Sequence, residues 1–352
     1  MKRIKEISSL RFVFMLLIFL HHTINYNGGG SLGVEFFFIL SGFVMTIGYK
    51  DRILNESFSY IDFVKKRAVK YYPLHWLCLL LALFLKAYRG EFTSGSIVPL
   101  IINAALLQSW VPYESVYFSF NAASWFLSDI LFFVCLFPVL LKALSAVWES
   151  KKKTLLLFSL LFLGYLVLCL TVSNSYRHYF LYINPLTRLI DFIIGIFTAK
   201  VLLDLKKREE GSFWPYKVPL LILLYSCIPI LILLSVSLPE RLLLCSPVFA
   251  PLICMLLILI SLPSIGGNSA FSWRPLIVLG TYSFEFYMIH KVCISYLHYL
   301  KNFMGFADKS IYLPAYLIII MLLAIVCRHL FVIPTTRLIL GYTSGPHPSD
   351  KR

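Results

Sequence analysis

The chain has 352 residues, of which 59% are hydrophobic, 16% aromatic and only 14% charged. A soluble domain carries about 25% charged residues, and apolar runs of membrane-spanning length recur here to the end of the chain. The composition therefore excludes an ordinary soluble domain and indicates a polytopic, all-α membrane protein. The formal net charge of +15 predicts no nucleic-acid partner, because basic residues gather in the cytoplasmic loops of membrane proteins.

Cysteine usage and missing motifs narrow the chemistry further. All eight cysteines lie in apolar stretches without CxxC spacing, which indicates neither a disulfide framework nor a zinc site, and we interpret them as packing residues. The sequence contains no nucleophile elbow, Walker loop, HExxH motif or glycine-rich dinucleotide turn. We therefore expect no bound metal or cofactor, and an enzyme built on this chain needs a histidine-centred mechanism.

Hydropathy predicts ten spanning helices and one shorter apolar segment at 96–110. If this segment crossed the membrane, the basic runs at 151–153 and 206–210 would face outward, against the positive-inside bias. A short re-entrant or interfacial helix there places both termini and all basic loops in the cytoplasm. We expect one domain over 1–352, with no appended soluble domain and no signal peptide. The predicted spans are near 8–25, 32–49, 71–86, 125–144, 154–172, 186–205, 216–236, 241–262, 275–298 and 311–334.

The first predicted span, LRFVFMLLIFLHHTIN, carries ionisable side chains inside an apolar helix. Such residues are costly in hydrocarbon, so each is a functional hypothesis by default. Arg11 and His22 are eleven positions apart, so both project from one helix face, about 16 Å apart along the axis. His21 projects about 100° away, toward another neighbour. We interpret this helix as one wall of a polar slot; a structural histidine that bonds a neighbouring helix is the alternative.

The second predicted span contains GVEFFFILSGF. Glu35 lies near the outer end of this span, where it could be hydrated. Ser41 and Gly42 are typical of close contact between membrane helices. Glu35 and Ser41 are therefore candidates for a polar site, with either a substrate-binding or a structural role.

The third predicted span follows the basic run KKRAVK and begins with YYP. This pattern is typical of a positive-inside anchor with an aromatic belt. A sharper interpretation is a phosphate site, because Arg67 and Lys70 lie one turn apart near a helix start, where the helix dipole also favours anions. Both interpretations stay open, and Tyr72 joins Arg67 and Lys70 as a candidate donor-binding residue.

Two stretches in the middle of the chain add further candidates. Asp129 follows a tryptophan early in its span and could hydrate at the interface, hold a helix or orient an imidazole. Arg188 and Asp191 are three positions apart and can pair on one helix. The pattern supports a structural ion pair and a substrate contact about equally.

The ninth predicted span carries polar residues on one face. Ser283, Tyr287 and His290 follow the i, i+4, i+7 spacing of a helix stripe, whereas Glu285 projects elsewhere. A second intramembrane histidine supports the idea of a polar interior. The remaining histidines, including His75, are interpreted as interfacial or loop residues.

Together these pieces resemble the acyltransferase-3 family of integral membrane O-acyltransferases. Six loose motifs occur in the family's order and cover most of the chain, which makes the resemblance fairly specific. The sequence departs from the family at Lys70, where arginine is common, and at Ile130 and Leu131, where many members carry glutamate. The matching pieces are Arg11 with His22, GVEFFFILSGF, KKRAVKYYP, Trp125 to Pro138, Arg188 to Gly195, and SFEFYMIH at 283–290.

The resemblance implies a function. In that family an acyl group, usually acetyl from acetyl-CoA, goes to a hydroxyl of a carbohydrate or other envelope molecule, and the Arg and His of the first helix form the essential pair. It implies O-acetylation of a polysaccharide or lipid-linked glycan by a protein of the bacterial inner (cytoplasmic) membrane. Acyl-CoA would serve as a donor substrate and not as a bound cofactor.

The candidate residues suit a direct transfer. The CoA phosphates lie near Arg67 and Lys70, His22 is the general base on the acceptor hydroxyl, and Arg11 steadies negative charge or holds the donor. Transfer in two steps through an acyl-histidine is the runner-up. A transporter or flippase that uses Arg11, His22 and His290 as a binding or proton path stays open, as does a membrane scaffold. Nothing in the sequence specifies the acceptor.

Overall fold

The computed structural model describes residues 4–26, 28–55, 58–208, 217–245, 248–267, 269–304 and 309–341, and these ranges contain helices and turns but no β-strand. Helices of eight residues or more are numbered here in chain order. They are α1 (Glu6–Ile24), α2 (Gly29–Leu54), α3 (Tyr60–Tyr88), α4 (Ile97–Ala104), α5 (Trp125–Trp148), α6 (Lys151–Thr171), α7 (Pro185–Arg208), α8 (Lys217–Ser237), α9 (Ala250–Ser261), α10 (Arg274–Thr281), α11 (Ser283–Met304), α12 (Lys309–Cys327) and α13 (Ile333–Leu340).

Seven helical segments among the described residues are long and apolar enough to cross a membrane. They include α1, α2, α3, α5, α6, α8 and the continuous stretch from α12 to α13. Helices α7 and α11 have spanning length with 24 and 22 residues, but they carry buried charged or polar groups. Helix α9 is shorter, with 12 residues. The all-α polytopic membrane fold predicted from composition is therefore confirmed.

Contacts between helix ends show how the chain alternates. The Lys50 and Lys200 ammonium groups lie 5.3 Å and 5.7 Å from the Trp148 ring, so α2, α5 and α7 finish at one end, here called the basic end. The Tyr26 hydroxyl lies 3.2 Å from the Ser235 hydroxyl, so α1 and α8 finish at the other, here called the far end. Helices α1 and α2 therefore run in opposite directions, and so do α7 and α8, which agrees with the predicted ten-crossing arrangement.

Parts of the predicted basic segments lie outside the described residues. They include residues 1–3, residues 209–216 in the loop after α7 and residues 342–352 in the tail. The expectation that these segments share one side of the membrane therefore stays a prediction for them.

Helix α4 does not cross the bundle. Asn103 and Ala104, at its end, place their carbonyl oxygens 2.8 Å from Nε2 of His75 and 3.0 Å from Nε1 of Trp76, in the middle of α3. The chain then turns at Leu106, whose φ is +56°. The segment is therefore a short apolar helix that turns back after Leu106, as expected for the predicted re-entrant or interfacial helix. It also corrects the interpretation of His75, which is fully buried.

Helices α2 and α7 pack against each other through two glycines. A Cβ atom at Gly42 would lie 2.1 Å from the Phe192 carbonyl oxygen, and one at Gly195 would lie 2.0 Å from the Ile39 carbonyl oxygen. Only a residue without a side chain permits this backbone approach. The close contact predicted for the Ser-Gly step in α2 is therefore present, and α7 is the helix that it meets.

Candidate active site

A cavity of about 150 Å³ opens between α1, α2, α3, α5 and α11. Two of its walls carry the basic residues singled out in the sequence, one on α1 and two on α3. Hydroxyl groups of α2 and α11 complete the polar lining. Its principal polar members are Arg11, Ser41, Arg67, Lys70, Ser283 and Tyr287. The structure thus brings together residues from four predicted motifs that lie far apart along the chain.

The two α3 cations rest against aromatic rings. The Arg67 guanidinium carbon lies 5.1 Å from the Tyr49 ring centre and 5.8 Å from that of Phe63, and Lys70 Nζ lies 5.8 Å from the Phe284 ring. Ring faces attract cations without neutralising their charge. None of the four ion pairs found among the described residues includes Arg67 or Lys70. Their charge therefore remains available to an anionic ligand in the cavity.

The two tyrosines that follow Lys70 have different positions. Tyr71 lines the cavity, whereas the Tyr72 hydroxyl donates to the Ala105 carbonyl oxygen at 3.1 Å. The Tyr72 ring lies 5.2 Å from the Trp76 ring. The structure therefore does not place Tyr72 with the cavity cations; it contacts the re-entrant segment, and the neighbouring Tyr71 occupies the position expected for it.

His22 lies beyond the cavity, beside the second intramembrane histidine. Its ring centre is 5.2 Å from that of His290 and 5.0 Å from that of His21. His290 Nδ1 lies 2.5 Å from the Tyr287 carbonyl oxygen. A carbonyl can only accept, so Nδ1 of neutral His290 carries the proton. Its Nε2 atom is then an acceptor, and it is buried with no hydrogen-bond partner among the described residues.

His21 faces a different neighbour, as the helix geometry predicts. Its Nδ1 atom lies 3.0 Å from the Tyr26 carbonyl oxygen in the turn between α1 and α2. A Cβ atom at Gly30 would lie 2.7 Å from its ring, so the ring packs directly on the start of α2. The contacts of His21 are those of a residue that stabilises a turn, whereas His22 meets another polar ring.

Tyr287 connects the cavity to the histidine pair. It lines the cavity, and its ring lies 5.5 Å from the His290 ring. Its hydroxyl donates to the Ala123 carbonyl oxygen at 2.9 Å, which fixes the side chain. Arg11 and His22 are about 16 Å apart along α1. Tyr287 therefore contacts both the cavity and the His290 ring, which in turn lies beside His22.

Glu35 is a buried residue that caps a helix. Its side chain is 2% exposed, and its Oε1 atom accepts a hydrogen bond from the Phe249 amide at 2.9 Å. Phe249 precedes α9, so the carboxylate lies at the N-terminus of that helix, where backbone N–H groups have no intrahelical partner and the dipole favours a negative charge. Hydration of Glu35 near the outer end of the span is therefore wrong.

Arg188 and Asp191 form a buried ion pair. The Arg188 Nη1 and Asp191 Oδ2 atoms are 3.1 Å apart, and the side chains are 1% and 0% exposed. Arg188 also donates through Nε to the Tyr182 carbonyl oxygen at 2.7 Å and stacks 4.6 Å from the Tyr182 ring. Neither residue lines the cavity. Of the two alternatives from sequence, these contacts favour the structural ion pair.

Asp129 is fully buried and does not line the cavity. It lies beside Ser109 of the re-entrant segment, yet neither carboxylate oxygen has a hydrogen-bond partner of good geometry among the described residues. Hydration at the interface, one of the three roles considered, is therefore wrong. Contact with the re-entrant segment favours the role of holding a helix.

Sequence reasoning missed the partner of Glu285. Arg328 lies 3.2 Å from the Glu285 carboxylate and also donates to the Thr281 carbonyl oxygen at 2.7 Å. Thr281 ends α10, so the pair clamps the junction between α10 and α11 to the turn after α12. Arg328 begins a π-helical turn, a local distortion that no periodicity in the sequence indicates.

These features define an integral membrane protein with an internal polar site of cations and histidines. The family model Acyl_transf_3, described as an acyltransferase domain, matches residues 4–329. The chain therefore belongs to this family, and it is a membrane acyltransferase. It is similar to the acyltransferase MdmB of Streptomyces mycarofaciens, with 24% identity over 292 residues, which are 78% of this chain and 70% of that protein. No solved structure matches the chain.

Proposed function

We propose that the protein transfers an acyl group, most simply acetyl, from acyl-CoA to a hydroxyl of a cell-envelope carbohydrate or lipid-linked glycan. The observation that carries the proposal is the cavity that joins Arg11, Arg67 and Lys70 to Tyr287, followed by His290 and His22. Cations suit the phosphates of the donor, and the imidazole suits the acceptor hydroxyl. Family membership favours this enzyme over the transporter and scaffold alternatives.

The donor enters with its phosphates toward the basic end. Ligand pockets that enclose a drug-sized molecule measure about 300–1,000 Å³, so a cavity of about 150 Å³ accommodates the thioester arm and not the nucleotide. The phosphates then stay near Arg67 and Lys70 at the cavity mouth. The Ser41 and Ser283 hydroxyls offer hydrogen bonds to the amides of the arm.

His22 acts as the general base. It takes the proton from the acceptor hydroxyl while the hydroxyl oxygen attacks the thioester carbonyl carbon. The tetrahedral intermediate then expels the CoA sulfur, and the proton on His22 passes to that sulfur. His290 packs beside His22, with 5.2 Å between the ring centres, and helps to position the His22 ring. An acyl-histidine route, in which a His22 nitrogen attacks the carbonyl first, uses the same residues and remains the runner-up.

The basic end faces the cytoplasm in this proposal. The connections at that end carry the lysine-rich runs, including Lys151 to Lys153, and the positive-inside bias places such loops in the cytoplasm. Both termini then lie in the cytoplasm of a bacterial inner membrane. Cytoplasmic acyl-CoA reaches the cations from the basic end, and the envelope acceptor reaches His22 from the far end.

A donor-consumption assay tests the proposal. The purified protein in lipid nanodiscs is given acetyl-CoA with labelled acetyl, together with a glycan and lipid extract from the organism that carries the gene. We expect free CoA thiol and labelled acceptor to appear together, and neither to appear with His22→Ala. Thiol release without labelled acceptor, or equal release by His22→Ala, contradicts the proposed transfer.

A further inference from the structure

Two cysteine sulfurs meet at the far end of the bundle. Cys169 lies in the last turn of α6, and Cys245 directly follows a short helix at Glu240–Leu244, between α8 and α9. Their Sγ atoms are 3.3 Å apart, and both thiols are free. Among the described residues this is the one contact between two sulfurs within hydrogen-bond distance. Disulfide sulfurs are about 2.05 Å apart, so a movement of about 1.2 Å would join them.

The backbone around this pair is already held in register. Arg241 donates from its guanidinium to the Cys169 carbonyl oxygen, so the helix at Glu240–Leu244 is tied to the end of α6 one turn before Cys245. The Cys245 thiol in turn donates to the Arg241 carbonyl oxygen at 3.1 Å. These two hydrogen bonds hold the two cysteines next to each other without requiring the sulfurs to be bonded.

Most of helix α6 makes few contacts with the rest of the protein, so a covalent link at its end would help to hold it in place. Only 6% of the most apolar part of α6 is buried, against 72% for α2. Tyr165 is its one buried residue among those described. Beside it, an apolar cavity of about 450 Å³ separates α6 from α7 and from the segment before α9, and both cysteines line this cavity. At its far end, the side-chain contacts of α6 with the described parts of the chain lie in a small apolar cluster that includes Tyr165 and Cys245.

We propose that Cys169 and Cys245 form an intramolecular disulfide that fastens α6 to the connection between α8 and α9. The proposal rests on the proposed orientation, in which the far end faces the oxidising compartment outside the cytoplasmic membrane. The two cysteines are 76 positions apart, and a link across so long a loop restricts the unfolded chain strongly. The proposed disulfide does not depend on the acyl-transfer chemistry.

The oxidation proceeds by thiol–disulfide exchange. Cys169 is partly exposed, whereas Cys245 is 8% exposed, so the Cys169 thiolate attacks the disulfide of an extracytoplasmic dithiol–disulfide exchange protein. This forms a mixed disulfide and releases one thiol of that protein. Cys245 then attacks the Cys169 sulfur, forms the bond within this chain and releases the second thiol. The exchange protein gains both electrons and leaves as a dithiol.

Counting masked thiols tests the proposal. Cells that express the full chain are quenched in acid, free thiols are blocked with N-ethylmaleimide in denaturant, and the protein is then reduced and treated with a maleimide-linked polyethylene glycol. The chain has eight cysteines, and only those that were in disulfides take the polymer. We expect two polymer additions on the wild-type chain and none on Cys169→Ser or Cys245→Ser.

A matched control comes from α8. The Cys227 thiol is buried and donates to the Leu223 carbonyl oxygen four residues earlier at 3.1 Å, the same local bond that Cys245 makes. Cys227→Ser should keep both polymer additions. A wild-type chain without polymer additions, or Cys169→Ser that retains two, overturns the disulfide. Cys169→Ser should still transfer acyl groups, so failure of the disulfide and failure of the proposed function give separate results.

Discussion

The bundle contains two sets of charged groups that differ in what they face. Arg67 and Lys70 lie against aromatic rings and line the cavity. A few turns away along the bundle, Arg188 pairs with Asp191 and Glu35 accepts a backbone amide, all inside the protein. Buried charges that the protein satisfies itself hold helices together, whereas charges that face a cavity need a ligand. We expect this comparison to separate structural from functional residues better than residue type does.

The largest expected effect concerns His22, on the functional side of the comparison. His22→Ala should lower acyl transfer about 10²- to 10⁴-fold, because a lost general base typically costs that much. Expression and CoA binding should stay near normal, since His22 makes no hydrogen bond that holds the fold among those described. Transfer of labelled acetyl by purified variants measures this.

His21→Ala is the matched control, one position along the same helix. His21 bonds the Tyr26 carbonyl oxygen in the turn after α1, so its loss should lower stability more than catalysis. Equal activity of the two variants, both well folded, would show that His22 is structural. The proposed difference in role between His22 and His21 would then be wrong.

Next comes the buried ion pair, on the structural side. Arg188→Ala removes the guanidinium that pairs with the buried Asp191 carboxyl group, and breaking a buried pair costs about 3–5 kcal/mol. We expect low yield and early thermal unfolding in detergent, measured by fluorescence-detected gel filtration. Arg188→Met with Asp191→Leu should recover folding, because well-packed apolar residues can replace a buried pair.

An exposed pair provides the control for Arg188. Arg89 and Glu91 pair at 3.1 Å with side chains 46% and 51% exposed, so Arg89→Ala should change stability by about 0–1 kcal/mol. If Arg188→Ala is well folded and loses only catalysis, Arg188 contacts the substrate and is not structural. Recovery of both folding and transfer in the double variant would confirm its structural role.

Much of the candidate functional set could be predicted from sequence because its members share helix faces. The 3.6-residue period places Arg11 and His22 on one side of α1 and Arg67 and Lys70 one turn apart on α3, whatever the rest of the fold does. The structure adds that one cavity collects Arg11 with the two α3 cations. Local periodicity was enough to name these residues.

The structural set depends on partners far away in the chain, which no local pattern specifies. Glu35 bonds the amide of Phe249, 214 positions later, so its burial follows from which helices are neighbours and not from its place in the span. The same holds for His75, whose partner Asn103 lies in the re-entrant segment. Helix-to-helix pairing of this kind is set by long-range packing that hydropathy does not encode.

A smaller effect is expected from the cavity cations. Arg67→Gln with Lys70→Gln should raise KM for acyl-CoA at least about 10-fold, because a single hydrogen bond to a charged group contributes about 1.5–3 kcal/mol. The wild-type KM should rise with salt as phosphate attraction is screened, and the variant should show a weaker salt dependence. Steady-state kinetics at several ionic strengths measure both quantities.

Two neighbouring lysines control for net charge. Lys65→Gln with Lys66→Gln removes the same charge from the same helix, but both side chains are exposed and neither lines the cavity. Their KM should stay within about twofold of wild type, since exposed charges are largely screened. An equal rise in KM for both double variants would contradict a phosphate site and would support the alternative that Arg67 and Lys70 anchor the helix at the membrane surface.

The smallest expected change in stability concerns the glycines at the contact between α2 and α7. This contact also places Arg188 beside the Phe38 ring of α2. Gly42→Ala should destabilise the protein by about 1–3 kcal/mol, because overpacking costs that much and the new methyl carbon would lie 2.1 Å from the Phe192 carbonyl oxygen. Gly48 lies on the same helix with nothing within 4 Å of an added Cβ atom. Gly48→Ala should therefore be neutral or stabilising, since alanine is favoured over glycine inside helices by about 1 kcal/mol. Thermal unfolding in one detergent compares the two. If Gly42→Ala lowers the unfolding temperature and Gly48→Ala does not, the close backbone contact between α2 and α7 stabilises the protein. If both variants shift the unfolding temperature equally, this contact is not what positions the buried ion pair.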